Sequence, residues 1–253
     1  MVRIFAILFA VSAVTACEAS GEKAVAAPFA AEAKAVHLKA ADGVTVFGSY
    51  YPAAHPKAVI LLFHQAGSGK GEYATIAPRL VAAGYSALAI DQRSGGTLYG
   101  ANETAAHVAG QPGYLDAAQD LQAAVDWGVA QHVPVVVWGS SYSSSLVFPL
   151  AVKNSGKIKA VLAFSPGEYF DDKALVRAAA AKVAVPAYIT SSPSSDEVAA
   201  AKGIAGAMRP GLATRYVPKD GVHGSSTLIA KRDPKGAESN WQPVLAFLKK
   251  VAP

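Results

Sequence analysis

The sequence predicts an α/β fold: a doubly wound, mostly parallel sheet of about eight strands with helices on both faces. Three observations carry that expectation. Short, continuous apolar runs recur along the chain, as in strands buried on both faces. Segments with helical spacing separate them. An alternating hairpin pattern precedes them all.

Within 253 residues, 52% are hydrophobic and 16% are charged, enough apolar matter for a sizeable core. In order, Val36–Lys39 and Val44–Tyr51 alternate around Asp42-Gly43, a hairpin turn. Ala58–Phe63 is the first buried strand, and Tyr73–Ala83 is a helix that stops at Gly84. Tyr85–Ile90 is the next strand. Tyr114–Ala130 is an amphipathic helix with Leu115, Ala118, Leu121, Val125 and Val129 on one side. Val133–Trp138, Ile158–Phe164, Val183–Thr190 and Ala213–Val217 complete the strands. Helical patterns cover Asp171–Lys182, Glu197–Met208 and Asn240–Val251. No internal repeat or linker interrupts 36–253, which reads as one domain. About twenty residues separate Phe164 from Val183, too few for a large cap domain.

The N-terminus reads as an address. Met1–Ala16 has a basic Arg3 and an apolar run, Ile4–Val14, of signal-peptide length. Val14-Thr15-Ala16-Cys17 resembles a bacterial lipobox, which implies cleavage before Cys17 and its lipidation. The alternative is an ordinary signal peptide cut after Ala16. Residues 17–35 are expected to form a flexible tether. Either reading predicts export: lipid-anchored at the bacterial cell envelope in the first case, soluble in the periplasm or secreted in the second, with membrane contact only through the N-terminal lipid. The net charge of +5 is scattered, with no basic stripe, so nucleic acid is not an expected partner. The single Cys excludes an internal disulfide framework and a cysteine-rich zinc site. No metal or organic cofactor is expected.

In doubly wound sheets the active crevice lies at the carboxyl ends of the strands. After Val133–Trp138 comes Gly139-Ser140-Ser141-Tyr142-Ser143, which resembles the G-x-S-x-G nucleophile elbow of α/β-hydrolases, with Ser143 in place of the second Gly. A serine-rich helix cap is the local alternative. After Ala58–Phe63, His64-Gln65-Ala66-Gly67 resembles the H-G-x-G oxyanion loop. A phosphate loop is disfavoured, because His64 and Gly71 stand where that motif needs Gly and Ser or Thr. After the next two strands come Asp196-Glu197 and His223.

The order Ser141, Asp196, His223 matches nucleophile, acid and base of the α/β-hydrolase superfamily, nearest to its dienelactone-hydrolase-like and small-esterase branch. The resemblance spans roughly Val36 to the C-terminus. It implies a serine hydrolase that cleaves an acyl bond, a carboxylic ester, of a small-molecule substrate of small or medium size. It also implies an oxyanion hole from the backbone N–H groups of Gln65 and Tyr142. A catalytically silent binding protein and an acyltransferase using the same triad are the alternatives. Asp196 is preferred to Glu197 as the acid because it stands nearer the strand end and has the shorter side chain. Adjacent helical residues point about 100° apart, so only one can face His223. The long segment Arg93–Gly113 offers Tyr99, Asn102, Glu103 and His107 as substrate contacts.

Overall fold

The computed structural model describes residues 31–253. The first thirty residues, which include Cys17 and most of the expected tether, lie outside the described residues. The sheet comprises β1 (Lys34–Lys39), β2 (Thr45–Tyr51), β3 (Val59–Phe63), β4 (Ser86–Ile90), β5 (Val135–Ser140), β6 (Ile158–Phe164), β7 (Ala187–Thr190) and β8 (Ala213–Tyr216). Their spatial order is β1-β2-β4-β3-β5-β6-β7-β8. The β1–β2 and β2–β4 pairs are antiparallel and the rest are parallel.

Period-two alternation sends the apolar side chains of each central strand to both faces. Leu61, Phe63, Val135 and Val137 join one buried cluster, which is roofed by α3 (Ala118–Val129), α4 (Tyr142–Lys153), α5 (Leu175–Ala180) and α6 (Ser195–Ala207). Ile60, Leu62, Val136 and Trp138 join the other, roofed by α1 (Ile76–Ala82) and α7 (Ala237–Val251). Continuous apolar strands therefore report two covered faces. Only the six-residue α5 lies between β6 and β7, so no large cap stands there.

Several boundaries differ from expectation. β1 begins at Lys34, inside the expected tether of residues 17–35, because Lys34 and Ala35 pair with Tyr50 and Ser49 although both stay exposed. Backbone pairing, which hydropathy does not record, sets that edge. The run Val183–Thr190 yields strand only from Ala187, since Pro186 has no N–H to give a ladder. The helix expected over Asp171–Lys182 shortens to α5. The long segment Arg93–Gly113 contains a short helix, α2 (Glu103–Ala106), capped by the Asn102 side chain, which accepts from Ala105 N at 2.8 Å.

Arg93 ties three elements together. Its guanidinium donates to Asp120 of α3 at 2.7 Å and to Asp42 in the β1–β2 turn. Arg93 and Asp120 are both buried. Removing one partner of such a pair strands the other charge. Arg93→Met is expected to lower the free energy of unfolding by about 3–5 kcal/mol at pH 7, measured by urea denaturation. The loss should shrink at low pH, where Asp120, already pushed upward mainly by burial, takes up a proton.

Candidate active site

The turn from β5 into α4 places the expected nucleophile. Ser141 has φ 58° and ψ −126°, a conformation that L side chains rarely adopt. Gly139 is required, because a Cβ there would fall against the Ser143 backbone. The departure at Ser143 is absorbed by the fold: its hydroxyl accepts from Ser140 N at 2.9 Å and donates to the β3 carbonyl of Phe63 at 2.7 Å. Ser141 is 7% exposed, and its hydroxyl meets the phenol of Tyr169.

The expected base, His223, comes from the loop after β8, and its carboxylate partner from the first turn of α6. His223 Nδ1 lies 2.9 Å from Glu197 Oε1. This corrects the expectation for Asp196, which is exposed in the first turn of α6. One residue on, Glu197 turns inward. Its longer side chain reaches past the strand ends, where Oε2 accepts from the Ser165 hydroxyl at 2.6 Å and from Ser192 N at 2.9 Å. Burial alone would raise the Glu197 pKa, but these bonds and the His223 contact hold it down at about 2. Being ionised, Glu197 only accepts, so Nδ1 of His223 carries the proton and Nε2 keeps its lone pair when the ring is neutral.

The His223 loop is fastened beside the elbow. Gly224 N donates to Ser165 Oγ at 2.9 Å, and Ser225 N donates to Ser140 Oγ at 2.8 Å. Gly224 has φ +67°, and a Cβ there would strike the Ser140 hydroxyl. Ser165 itself sits at φ 57°, a second strained serine at a strand end.

The oxyanion loop also departs from expectation. Gln65 N, the expected donor, is consumed: it donates to Glu72 Oε2 at 2.8 Å. The neighbouring amide, Ala66 N–H, is left without an acceptor among the described residues. His64 Nε2 accepts from Gln92 N at 2.9 Å, so Nδ1 bears the proton and donates to Gln65 O at 2.8 Å. Burial lowers the His64 pKa to about 4 and keeps the ring neutral. A trans peptide points its C=O and N–H in opposite directions, so the Ala66 N–H is directed away from that buried ring. Among the described residues neither Ala66 N nor Tyr142 N has a hydrogen-bond partner. The second expected donor, Tyr142 N, thus stands at the first turn of α4, where helix amides have no internal acceptor.

Of the expected substrate contacts, Tyr99 alone lines the crevice, a depression of about 310 Å³ shared with Gln65, Leu98, Val222, His223, Ser226 and Arg232. The others are corrected to structural duties. Asn102 is buried, caps α2 and donates to Ser68 O and Gln92 O at 3.1 and 3.0 Å. Glu103 pairs with Lys70 at 2.5 Å. His107 stacks on Phe47 at 5.2 Å. The sequence reading missed Ala66, Glu72, Ser165 and Tyr169. Of these only Glu72 carried a readable signal, as an acid among the small residues that follow the oxyanion loop. No group of His, Cys, Asp and Glu suited to a metal occurs among the described residues.

Known proteins agree with this architecture. The esterase Pf2001 of Pyrococcus furiosus superposes with a TM-score of 0.65 at 19% identity, covering 88% of this chain and 94% of that one. A dienelactone hydrolase from Anabaena variabilis gives 0.68 at 17%, over 88% and 99%. A thermostable carboxyl esterase from Bacillus coagulans gives 0.68 at 12%, over 88% and 100%. At such identities they establish the fold alone, the α/β-hydrolase fold. No curated protein matches the sequence. The family model described as "Serine aminopeptidase, S33" matches residues 54–205, more than half of the chain, from the approach to β3 through most of α6. The protein therefore belongs to the serine aminopeptidase S33 family of hydrolases.

Proposed function

We propose that the protein is a serine hydrolase that cleaves carboxylic esters of small or medium-sized substrates, with Ser141 as nucleophile, His223 as base and Glu197 as acid. The observation that carries this reading is the His223–Glu197 pair, fastened by Ser165 and Ser140 beside a serine at φ 58°. In this mechanism His223 Nε2 takes the Ser141 proton as Oγ attacks the acyl carbon. The N–H groups of Ala66 and Tyr142 receive the oxyanion. The imidazolium then protonates the departing alcohol. Water, deprotonated in turn by His223, releases the acid and restores Ser141. Glu197 stabilises the imidazolium throughout without being protonated itself.

The charge of the crevice favours an ester over a free-amine peptide. An aminopeptidase must neutralise its substrate's ammonium group. The wall beside His223 offers instead the guanidinium of Arg232, stacked 4.8 Å over the Tyr99 ring. A cation there suits neutral or anionic substrates. We also propose that Cys17 is lipidated and that the protein is held at the bacterial envelope. This rests on the lipobox resemblance of Val14–Cys17.

A fluorophosphonate probe should label Ser141, identified by peptide mapping, and Ser141→Ala should lower kcat by about 10⁴–10⁶. Labelling of another serine would refute the assignment. Glu197→Gln should cut kcat by up to about 10⁴ with the fold intact by circular dichroism, while Asp196→Asn stays within about twofold. The reverse pattern would return the acid to Asp196. A p-nitrophenyl ester should be turned over at least about a hundredfold faster than an amino-acid p-nitroanilide with a free amine, as an ammonium without a counter-charge implies. Mass spectrometry of the mature protein should find a diacylated N-terminal Cys17; an unmodified Cys17 would refute the anchor.

A further inference from the structure

Behind the elbow lies a carboxylate that the mechanism above does not use. Glu72 belongs to a 3₁₀ turn, Lys70–Tyr73, and is 1% exposed. Its Oε2 accepts from Gln65 N at 2.8 Å and its Oε1 from Ser140 Oγ at 2.7 Å. Gln65 immediately precedes Ala66, and Ser140 immediately precedes the nucleophile. One buried side chain thus bridges the two backbone segments that carry the two oxyanion donors.

We propose that Glu72 is a positioning residue for the oxyanion hole, whose carboxylate fixes the Ala66 amide relative to Ser141 and Tyr142. The inference rests on the serine-hydrolase reading. Its first support is donor arithmetic. Ser140 Oγ accepts from Ser225 N, so its single proton is free to go to Glu72. Gln65 N–H is a donor by nature. Two donors therefore converge on residue 72, and a carboxylate matches both. A glutamine of the same length has one acceptor and satisfies only one.

The second support is the peptide on either side of Gln65. His64 Nδ1 and Ser68 N hold the Gln65 carbonyl, at 2.8 and 3.3 Å, and Glu72 holds the Gln65 amide. With both ends gripped, the Ala66 N–H has one direction left to it. The third is cost. Burying a carboxylate is expensive, and an apolar side chain of similar volume would fill the space at no such expense. Here the penalty accompanies a task that needs two acceptor oxygens, one for the Gln65 amide and one for the Ser140 hydroxyl.

The test compares Glu72→Gln and Glu72→Met with the wild-type protein, each sample normalised by fluorophosphonate titration of Ser141. Hydrolysis of a neutral p-nitrophenyl ester is followed, together with the affinity for an alkylboronic acid, which forms a tetrahedral adduct on the nucleophile, and for the product carboxylic acid. Loss of a whole oxyanion donor costs about 10²–10³ in kcat. Misdirection of one donor should lower kcat by about 10-fold in the Gln variant and about 10²-fold in the Met variant. KM and product affinity should change less than about threefold, and boronate affinity should fall in parallel with kcat. A purely structural residue would lower the melting temperature and leave kcat and boronate affinity per titrated site unchanged. That outcome overturns the inference. Should the Met variant not fold, the Gln variant decides alone. A wild-type protein that neither labels nor hydrolyses esters removes the hydrolase reading, and this inference with it. Active wild type beside unaltered variants removes this inference only.

Discussion

The site depends on one strained turn. Holding Ser141 at positive φ costs about 1–3 kcal/mol, and the surroundings over-determine it. Ser141 N donates to the β6 carbonyl of Phe164 at 2.8 Å, Ser144 N returns to Ser141 O at 2.9 Å, and Gly139 leaves room for the α4 backbone. The turn sorts three successive side chains. Ser140 points inward to Glu72, Ser141 meets the Tyr169 phenol, and the Tyr142 ring is buried with its phenol between Gln92 and Ser94. Without that sorting, neither the clamp behind the elbow nor the nucleophile in front of it would exist. β6 repeats the device on a smaller scale. Ser165, at φ 57°, donates its N–H to Thr190 O at 2.7 Å and aims its hydroxyl at Glu197.

Two glutamates at the site show how environment divides one residue type into two tasks. Both are desolvated, and desolvation is the largest effect on each. Glu197 gathers three donors, Ser165 Oγ, Ser192 N and the His223 ring, and its pKa falls to about 2. It is thus ionised beside the His223 ring at neutral pH. Glu72 is fully enclosed, its bonds compensate less than its burial costs, and its pKa rises to about 7. In the proposed mechanism, full negative charge thus stands beside the imidazole, where positive charge would develop, and a weaker acid stands behind the amides proposed to receive the oxyanion.

Much of this was legible in the sequence. Buried strands announce themselves as apolar runs, and the crevice side follows from strand direction. Ser141, Tyr142 and His223 therefore stood in view by motif and position, and the structure places all three at the strand ends. The remaining assignments needed side-chain direction. Asp196 and Glu197 differ by one helical step and one methylene. A preference for the shorter side chain failed because the distance from α6 past Ser165 to His223 needs the longer one. Gln65 and Ala66 differ by one peptide plane, and only the buried bonds of Gln65 to His64 and Glu72 decide which N–H remains for the crevice. Asn102 looked available for substrate because a loop sequence does not tell a capping side chain from an exposed one.

The serine-rich stretch shows which hydroxyls the fold engages. Five serines lie between positions 140 and 145, and composition alone permits a simple helix cap. Four are engaged by the fold. Ser140 joins Glu72 to Ser225 N, and Ser143 bridges Ser140 N to Phe63 O. Ser144 donates to Ser141 O at 2.5 Å, and Ser145 exchanges hydrogen bonds with the Gly167 backbone at 2.6 and 3.0 Å. Each of these hydroxyls is fully buried, so moving any one would leave a polar partner unsatisfied, at roughly 1–3 kcal/mol. The Ser141 hydroxyl meets a partly exposed phenol, Tyr169, which already donates to Ser165 O at 2.8 Å. A nucleophile must turn toward its base and then toward its substrate, and in this stretch only Ser141 can do so without dismantling a buried bond.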